Sequence, residues 1–433
     1  MSIRIRTARS EPPFRELQAQ MRAASTSDPR LREDVAAIVA AVAERGDAAL
    51  LEYTARFDHL EVGSAEALRL GPGELAAAAA RLDPALLASL RDAAENIRRF
   101  HERQSERGFV DLLPDGTLLG QRVTPLRRVG VYVPGGRAAY PSSVLMNVIP
   151  ARVAGVDEVV MVTPTPGGEV EDAVLAAAHV AGVAEVYRIG GAQAVAALAY
   201  GTGSIPRVDK IVGPGNRWVA EAKRQVFGWV DIDMIAGPSE ILVVADDSAP
   251  ARHVAADLIG QAEHDPDAIA WLVTDSPALA EAVPAEVDGL LEANPRREIA
   301  RQALESNGLI LVVPSIEAAA EAAELRAPEH LELLVRDPVG LAGRIRSAGA
   351  IFLGGNSPEP LGDYFAGPNH VLPTGGTARW ASPLGVYDFV KRTSLIGYSE
   401  ARLRAHAGDV IRLAEAEGLH GHAAAVRVRT SSD

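Results

Sequence analysis

The sequence predicts an α/β protein built on parallel sheets. Short apolar runs alternate with helix-length segments from Arg128 to Leu353. Glycine stands where most of those runs end, as it does where a strand turns into the next helix of a βαβ unit. Hydrophobic residues make up 48% of the chain and charged residues 23%, the balance of a globular protein with a large core. At about 150 residues per domain, 433 residues suggest two to three domains.

The first hundred residues read as helical. Asp28-Pro29 has the form of an N-cap followed by proline at the first helical position. Val35, Ile38, Val39 and Val42 then recur on one helical face, and Gly46 is the expected stop. A second helix is expected from Asp83-Pro84, carrying Leu86, Leu90 and Ile97 inward. Pro114-Asp115-Gly116 predicts a hairpin turn. Strands are expected at 131–133, 159–162, 186–189 and 210–212, with helices at 142–154, 171–181, 194–199 and 218–226 between and after them. A second α/β stretch places strands at 241–244, 269–273, 309–313 and 350–353, and helices at 251–262 and 316–325. Ser399 to Glu417 reads as a charged helix, and Val426-Arg427-Val428-Arg429 alternates like an edge strand.

Composition excludes several chemistries. The chain has no cysteine, so it has no disulfide, no thiolate metal site and no thiol nucleophile. Its net charge of −14 argues against a nucleic-acid partner, whose phosphates are met by clustered Lys and Arg. No apolar run approaches the roughly 20 residues that span a bilayer. Met1 to Pro13 lacks the apolar core of a secretion signal, so the cytoplasm is the expected compartment.

Three expected strand ends are rich in Gly and Pro: Pro134-Gly135-Gly136, Gly190-Gly191-Ala192-Gln193 and Gly213-Pro214-Gly215-Asn216. Ligands of open α/β sheets bind beyond the carboxyl ends of strands, and glycine there admits a phosphate close to the backbone. None matches the dinucleotide fingerprint, and turning the chain is an equally good reason for the glycines. Four clusters carry titratable groups. Gln261 and His264 stand at i, i+3 just before Pro266, a spacing that puts both on one helical face and suits a divalent ion. Glu329-His330 is an adjacent acid and base. Asp363 and His370 share a Gly/Pro-rich loop, and Glu417, His420 and His422 lie close together near the end. Each alone reads more readily as polar surface.

Taken together, these blocks resemble the histidinol dehydrogenase family from about residue 25 to 430. The resemblance rests on GVYVPGGRAAYPSSVLMNVIP (130–150), GGAQAVAAL (190–198), the glycines at 213–215 with Glu221-Ala222-Lys223, IDMIAGPSE (232–240), QAEH (261–264), APEHL (327–331), GDYFAGPNH (362–370) and Glu417 to His422. It implies two incomplete Rossmann-like domains with parallel sheets and small terminal domains. Residues 26–130 with 238–383 would form one α/β domain, 131–237 the inserted second, 1–25 an N-terminal helical segment, and 384–433 a dimerisation region. It implies one zinc per subunit, held by Gln261, His264, Asp363 and His422. It implies NAD contacts from Tyr132, Gln193 and Asn216, and contacts to the substrate L-histidinol from Ser239, Gln261, His264, His330, Asp363, His370, Glu417 and His422.

The implied reaction, at the end of histidine biosynthesis, oxidises L-histidinol to L-histidine with two NAD through an aldehyde. His330 would take the alcohol proton, and Glu329 with His330 would activate water. Independently of any family, a chain without cysteine has no thiohemiacetal route for the aldehyde, which leaves water. The resemblance also implies a homodimer in which Glu417 and His422 complete the partner's site. His420 is not called for by the family pattern and reads as surface. Three other readings compete: a paralogue oxidising another alcohol such as a sulfonated diol, a zinc hydrolase using Glu329, and a silent regulatory protein.

Overall fold

The computed structural model describes residues 3–7, 28–135 and 140–431, and holds two compact units. The first unit runs to Gln104 and resumes at Arg127–Phe389. Among the described residues it contains two six-stranded sheets. The first sheet is wholly parallel, in the order Arg4–Thr7, Leu309–Val312, Ile269–Thr274, Glu240–Ala245, His330–Leu334, Ala350–Leu353. The second runs Arg69–Leu70, Glu185–Tyr187, Glu158–Val162, Arg128–Tyr132, Lys210–Val212, Asp231–Ile232, and only the Arg69–Leu70 edge is antiparallel. The two Rossmann-like sheets are thus present.

Most elements form where the sequence places them, for the expected reasons. Asp28 caps the helix Pro29–Arg45 by accepting the Arg30 N–H at 3.0 Å, and Gly46 ends it at φ 55°. Asp83 caps Pro84–Glu102 in the same way, accepting from Ala85 and Leu86. Leu90 and Ile97 are buried as expected, but Leu86 is exposed, because the first turn of this helix overhangs its packing face. Pro114-Asp115-Gly116 does turn a hairpin, between Phe109–Leu112 and Leu118–Pro125.

The structure redraws the expected domains. Of the N-terminal helical segment expected over 1–25, residues 3–7 are described, and Arg4–Thr7 among them is a strand. It pairs with Leu309–Val312, a partner too distant to leave a local signal in four residues. The rest of that segment lies outside the described residues, as does Gly136. The helices of residues 29–102 do not pack on the first sheet. Leu31, Val35, Val42, Leu50 and Tyr53 share a core with Tyr132, Val160 and Ile189 of the second sheet. The first sheet is instead filled on one face by Ile3, Leu258, Val283 and Leu304, and on the other by Ala319, Ala323 and Leu341.

The second unit joins Ser105–Leu126 to Val390–Asp433. Val390–Gly397 pairs antiparallel with Leu118–Pro125, extending the hairpin to three strands, and the helices Glu400–Ala416 and His420–Thr430 follow. The edge strand expected at 426–429 is therefore helix. Four alternating residues fit either period, and the preceding run Ala423-Ala424-Ala425 favours helix, with Ala423 fully buried.

Candidate active site

Glu329 and His330 lie at the amino ends of the first sheet, not at the carboxyl ends where open α/β sheets usually bind. His330 is the first residue of its strand and stands opposite Ile241 on one side and Ala350 on the other. The chain leaves Glu240–Ala245 outward through Ile269–Thr274 and Leu309–Val312, then returns to the other side at His330. The entry is tightly built. The helix Ile316–Arg326 ends at Ala327, which adopts φ 50°, a left-handed conformation rare for a residue with a Cβ. Gly349 donates to the Pro328 carbonyl at 2.9 Å, and a Cβ there would lie 2.5 Å from the Glu329 carbonyl oxygen. Because the strand begins only at His330, Glu329 is free of the alternation that would send neighbours to opposite faces.

His330 is held at one ring nitrogen and open at the other. Nδ1 bonds the Glu240 carbonyl at 3.0 Å and lies 3.7 Å from Glu329 Oε2 and from Glu359 Oε1. Nε2 lies 3.7 Å from Asp363 Oδ1, beyond hydrogen-bond reach, and has no hydrogen-bond partner among the described residues. Burial works against the imidazolium, yet Glu359, Glu329 and Asp363 outweigh it and push His330 up to about 10. Glu329 accepts the Glu240 N–H at 2.8 Å, and burial pushes its carboxyl up to about 8 against the pull of His330. Glu240 is itself fixed by an ion pair with Arg326, whose guanidinium lies 5.4 Å over the Trp271 ring.

Three imidazoles act on Asp363. Burial opposes its charge, but the close approach of His330 and the fields of His370 and His264 hold it below the ordinary carboxylate range. His370 Nδ1 is 3.9 Å from Asp363 Oδ1, and His370 Nε2 is buried without a hydrogen-bond partner among the described residues. His264 keeps an open edge at the end of the helix Ala251–Ala262; desolvation lowers it and Asp363 pulls it back. Gln261, on the same helix, is fully buried. With its amide nitrogen turned inward it donates to the Glu240 carbonyl and to Glu359 Oε1, both at 3.3 Å.

The sequence reading missed Glu359. It is buried, and its carboxyl is pushed up to about 8 by desolvation. Donor atoms of His330, Glu359 and Asp363 lie within 4.8 Å of one another, a set that could hold a metal ion. Of the four expected ligands only Asp363 belongs to that set. Gln261 reaches it through Glu359, and His264 acts on it through Asp363. A signal for Glu359 existed: it stands four residues before Asp363, on one face of the helix Glu359–Tyr364. The donors are all nitrogen and oxygen, and two imidazole Nε2 atoms lack partners. This is a surrounding that fits zinc or a similar divalent ion. Ser239 immediately precedes Glu240, and its carbonyl is taken by the Ile269 N–H at 3.0 Å. Glu417 and His422 belong to the second unit, where both are exposed, as is His420.

Tyr132, Gln193 and Asn216 lie at carboxyl ends of the second sheet, as expected. The Tyr132 hydroxyl accepts the Gly191 N–H at 3.1 Å, and burial pushes it up to about 12. Gln193 is buried, and its Oε1 has no partner among the described residues. Asn216 caps the helix Arg217–Val226, accepting from Trp218 at 3.0 Å and Val219 at 3.2 Å. Gly213 sits at φ 108°, and a Cβ there would lie 2.1 Å from the Tyr132 carbonyl oxygen, so the two strand ends touch through backbone alone. The two sheets are linked near His370: Asn369 donates to the Met146 carbonyl, in the helix Pro141–Ala154, at 2.6 Å.

A family model described as histidinol dehydrogenase matches residues 21–430. The chain belongs to the histidinol dehydrogenase family. A histidinol dehydrogenase of Heliobacterium mobile is 54% identical over 404 residues, covering 93% of this chain and 94% of that protein. One from Listeria innocua is 49% identical over 423 residues, 98% of each chain. The crystal structure of histidinol dehydrogenase from Elizabethkingia anophelis superposes with a TM-score of 0.92 at 34% identity, over 99% of this chain and 98% of that one. The chain is accordingly an enzyme of the histidinol dehydrogenase type, an NAD-dependent oxidoreductase. No helix among the described residues is long and apolar enough to cross a membrane.

Proposed function

We propose that the enzyme carries out both oxidations of L-histidinol to L-histidine, with two NAD and one zinc per subunit, at the site around His330. The observation that carries the reading is His330 itself: a buried imidazole whose Nδ1 is occupied by the Glu240 carbonyl and whose Nε2 is left without a hydrogen bond. Gln261, His264 and Asp363 would hold zinc with His422 of a partner subunit, and Glu359 stands close enough to Asp363 to join them. When bound, zinc supplies a fixed charge that orients the substrate's nitrogens, and NAD takes up the hydride of each oxidation.

The chain's own groups move the protons. In the neutral ring Nδ1–H donates to the Glu240 carbonyl, so it is the neutral form of His330 whose Nε2 meets the alcohol and takes its proton. Glu359, Glu329 and Asp363 stabilise the imidazolium that results. The second oxidation needs water added to the aldehyde, because the chain has no cysteine to add instead. Glu329, adjacent to His330 and exchanging its proton near pH 8, suits the removal of the water proton. Ser239 and His370 would line the substrate, with Glu417 of the partner subunit on its imidazole. Tyr132, Gln193 and Asn216 would receive the nucleotide, and the unpaired Gln193 Oε1 fits such a ligand. A homodimer working in the cytoplasm completes the reading.

The test is NADH formed per L-histidinol consumed, with and without chelator. A ratio of two, lost on chelation and restored by zinc, is expected. A ratio of one, or no NADH from zinc-loaded enzyme, would overturn the two-step assignment and favour another alcohol.

A further inference from the structure

Of the 43 basic residues only three are lysines, and two of those, Lys210 and Lys223, are buried. An ammonium is a compact point charge and fits where a planar guanidinium does not. Lys223 lies on the helix Arg217–Val226, about two turns after its cap Asn216, and its side chain is 3% exposed. It forms an ion pair with Asp233, whose side chain is 1% exposed, just beyond the strand Asp231–Ile232. Buried ion pairs add little to stability, because desolvation offsets their attraction. This pair instead grips backbone. Lys223 Nζ donates to the Gly213 carbonyl at 3.1 Å, and Asp233 Oδ2 accepts the Gly213 N–H at 2.7 Å. Both polar groups of one glycine are thus held by one ion pair.

That glycine is where the strand ends meet. Gly213 lies against the Tyr132 carbonyl with no room for a Cβ. The Tyr132 hydroxyl in turn accepts the Gly191 N–H at the head of the helix that carries Gln193, and Asn216 ends the Gly213 turn itself. We propose that the Lys223–Asp233 pair clamps the Gly213 turn and so sets the spacing of Tyr132, Gln193 and Asn216 for the nucleotide. Both are positioning residues: their charges are satisfied by each other and by backbone, and they act through Gly213. The inference rests on the proposed placement of NAD at these strand ends and adds the device that holds them together. A displacement of about 1 Å at a binding group is enough to cost on the order of 100-fold.

The experiment compares wild type with the double variant Lys223→Met, Asp233→Asn, which removes the pair without changing net charge. KM for NAD is measured at saturating L-histidinol, KM for L-histidinol at saturating NAD, and zinc content and exchange of the Gly213 amide on each protein. The double variant is expected to raise KM for NAD about 10–100-fold and to exchange the Gly213 amide faster, with KM for L-histidinol and zinc content unchanged. A merely structural pair would lower the melting temperature and leave KM for NAD of the folded enzyme as in wild type, and that outcome overturns the clamp. So would an equal rise in both KM values, which marks general loosening. Asn216→Ala separates the two readings. If it leaves KM for NAD unchanged, the placement of the nucleotide fails by itself, and the Gly213 exchange decides whether the pair holds the turn. Should the double variant not fold, wild type decides: the clamp requires the Gly213 amide to exchange as slowly as those of the strand Lys210–Val212, and exchange at the rate of an open loop would refute it.

Discussion

At Gly349 the absence of a side chain is a positional demand, since a Cβ would meet the Glu329 carbonyl oxygen at 2.5 Å with only backbone to give way. Gly349→Ala is expected to cost about 1–3 kcal/mol and to lower kcat/KM by displacing Glu329; thermal melts and steady-state turnover check both. Glu329→Gln keeps the shape and removes the proposed base. It is expected to slow oxidation of supplied aldehyde far more than oxidation of the alcohol, and equal slowing of both would remove Glu329 from the water step. Of the two nearby histidines, His422→Ala is expected to lose bound zinc and His420→Ala to keep it, read by metal analysis of the purified variants. The sequence marks residues of this kind when their type is rare or their spacing tight, as with Gln261-x-x-His264. Glu359 escaped because its spacing of four to Asp363 is common among 57 acidic residues, and only burial singles it out beside His330.

At the scale of elements, local signals suffice where a cap and a periodic face agree. The helix Pro29–Arg45 begins at its Asp28 cap and ends at Gly46 as its pattern does, whereas four-residue alternations decide nothing: Arg4–Thr7 is strand and Val426–Arg429 is helix. One helix end carries a measurable consequence. Asp58, at the end of the helix Asp47–Asp58, is buried against the Gly190 turn. Burial raises its carboxyl from 3.8 to about 6, against a hydrogen bond from the Gly190 backbone. The folded state then binds this proton more tightly than the unfolded chain. Its contribution is most favourable below the unfolded value and is lost as pH rises through about 6. Stability is expected to fall over that window, and Asp58→Asn to flatten the fall. Denaturation midpoints taken from pH 4 to 7 would show it, and parallel curves for the two proteins would refute it.

The whole molecule was the least legible scale. Alternating strands and helices announce parallel sheets, but nothing local in residues 29–58 says which sheet they cover, and they cover the second. The proposed dimer is likewise tested only between chains. His330→Ala and His422→Ala are each expected to be inactive, and mixing them under conditions that exchange subunits is expected to restore turnover, because some sites then draw intact residues from both chains. No recovery would mean that His422 serves its own chain. The order of the first sheet has a consequence in time. Arg4–Thr7 closes an edge whose neighbour is Leu309–Val312. A ribosome adding about 5–20 residues per second delivers that neighbour some 15–60 seconds later. Every strand of the second sheet has by then been made, the last of them ending at Ile232. The nascent chain can thus assemble its second sheet first, while its earliest strand waits for the neighbour that makes the first sheet whole.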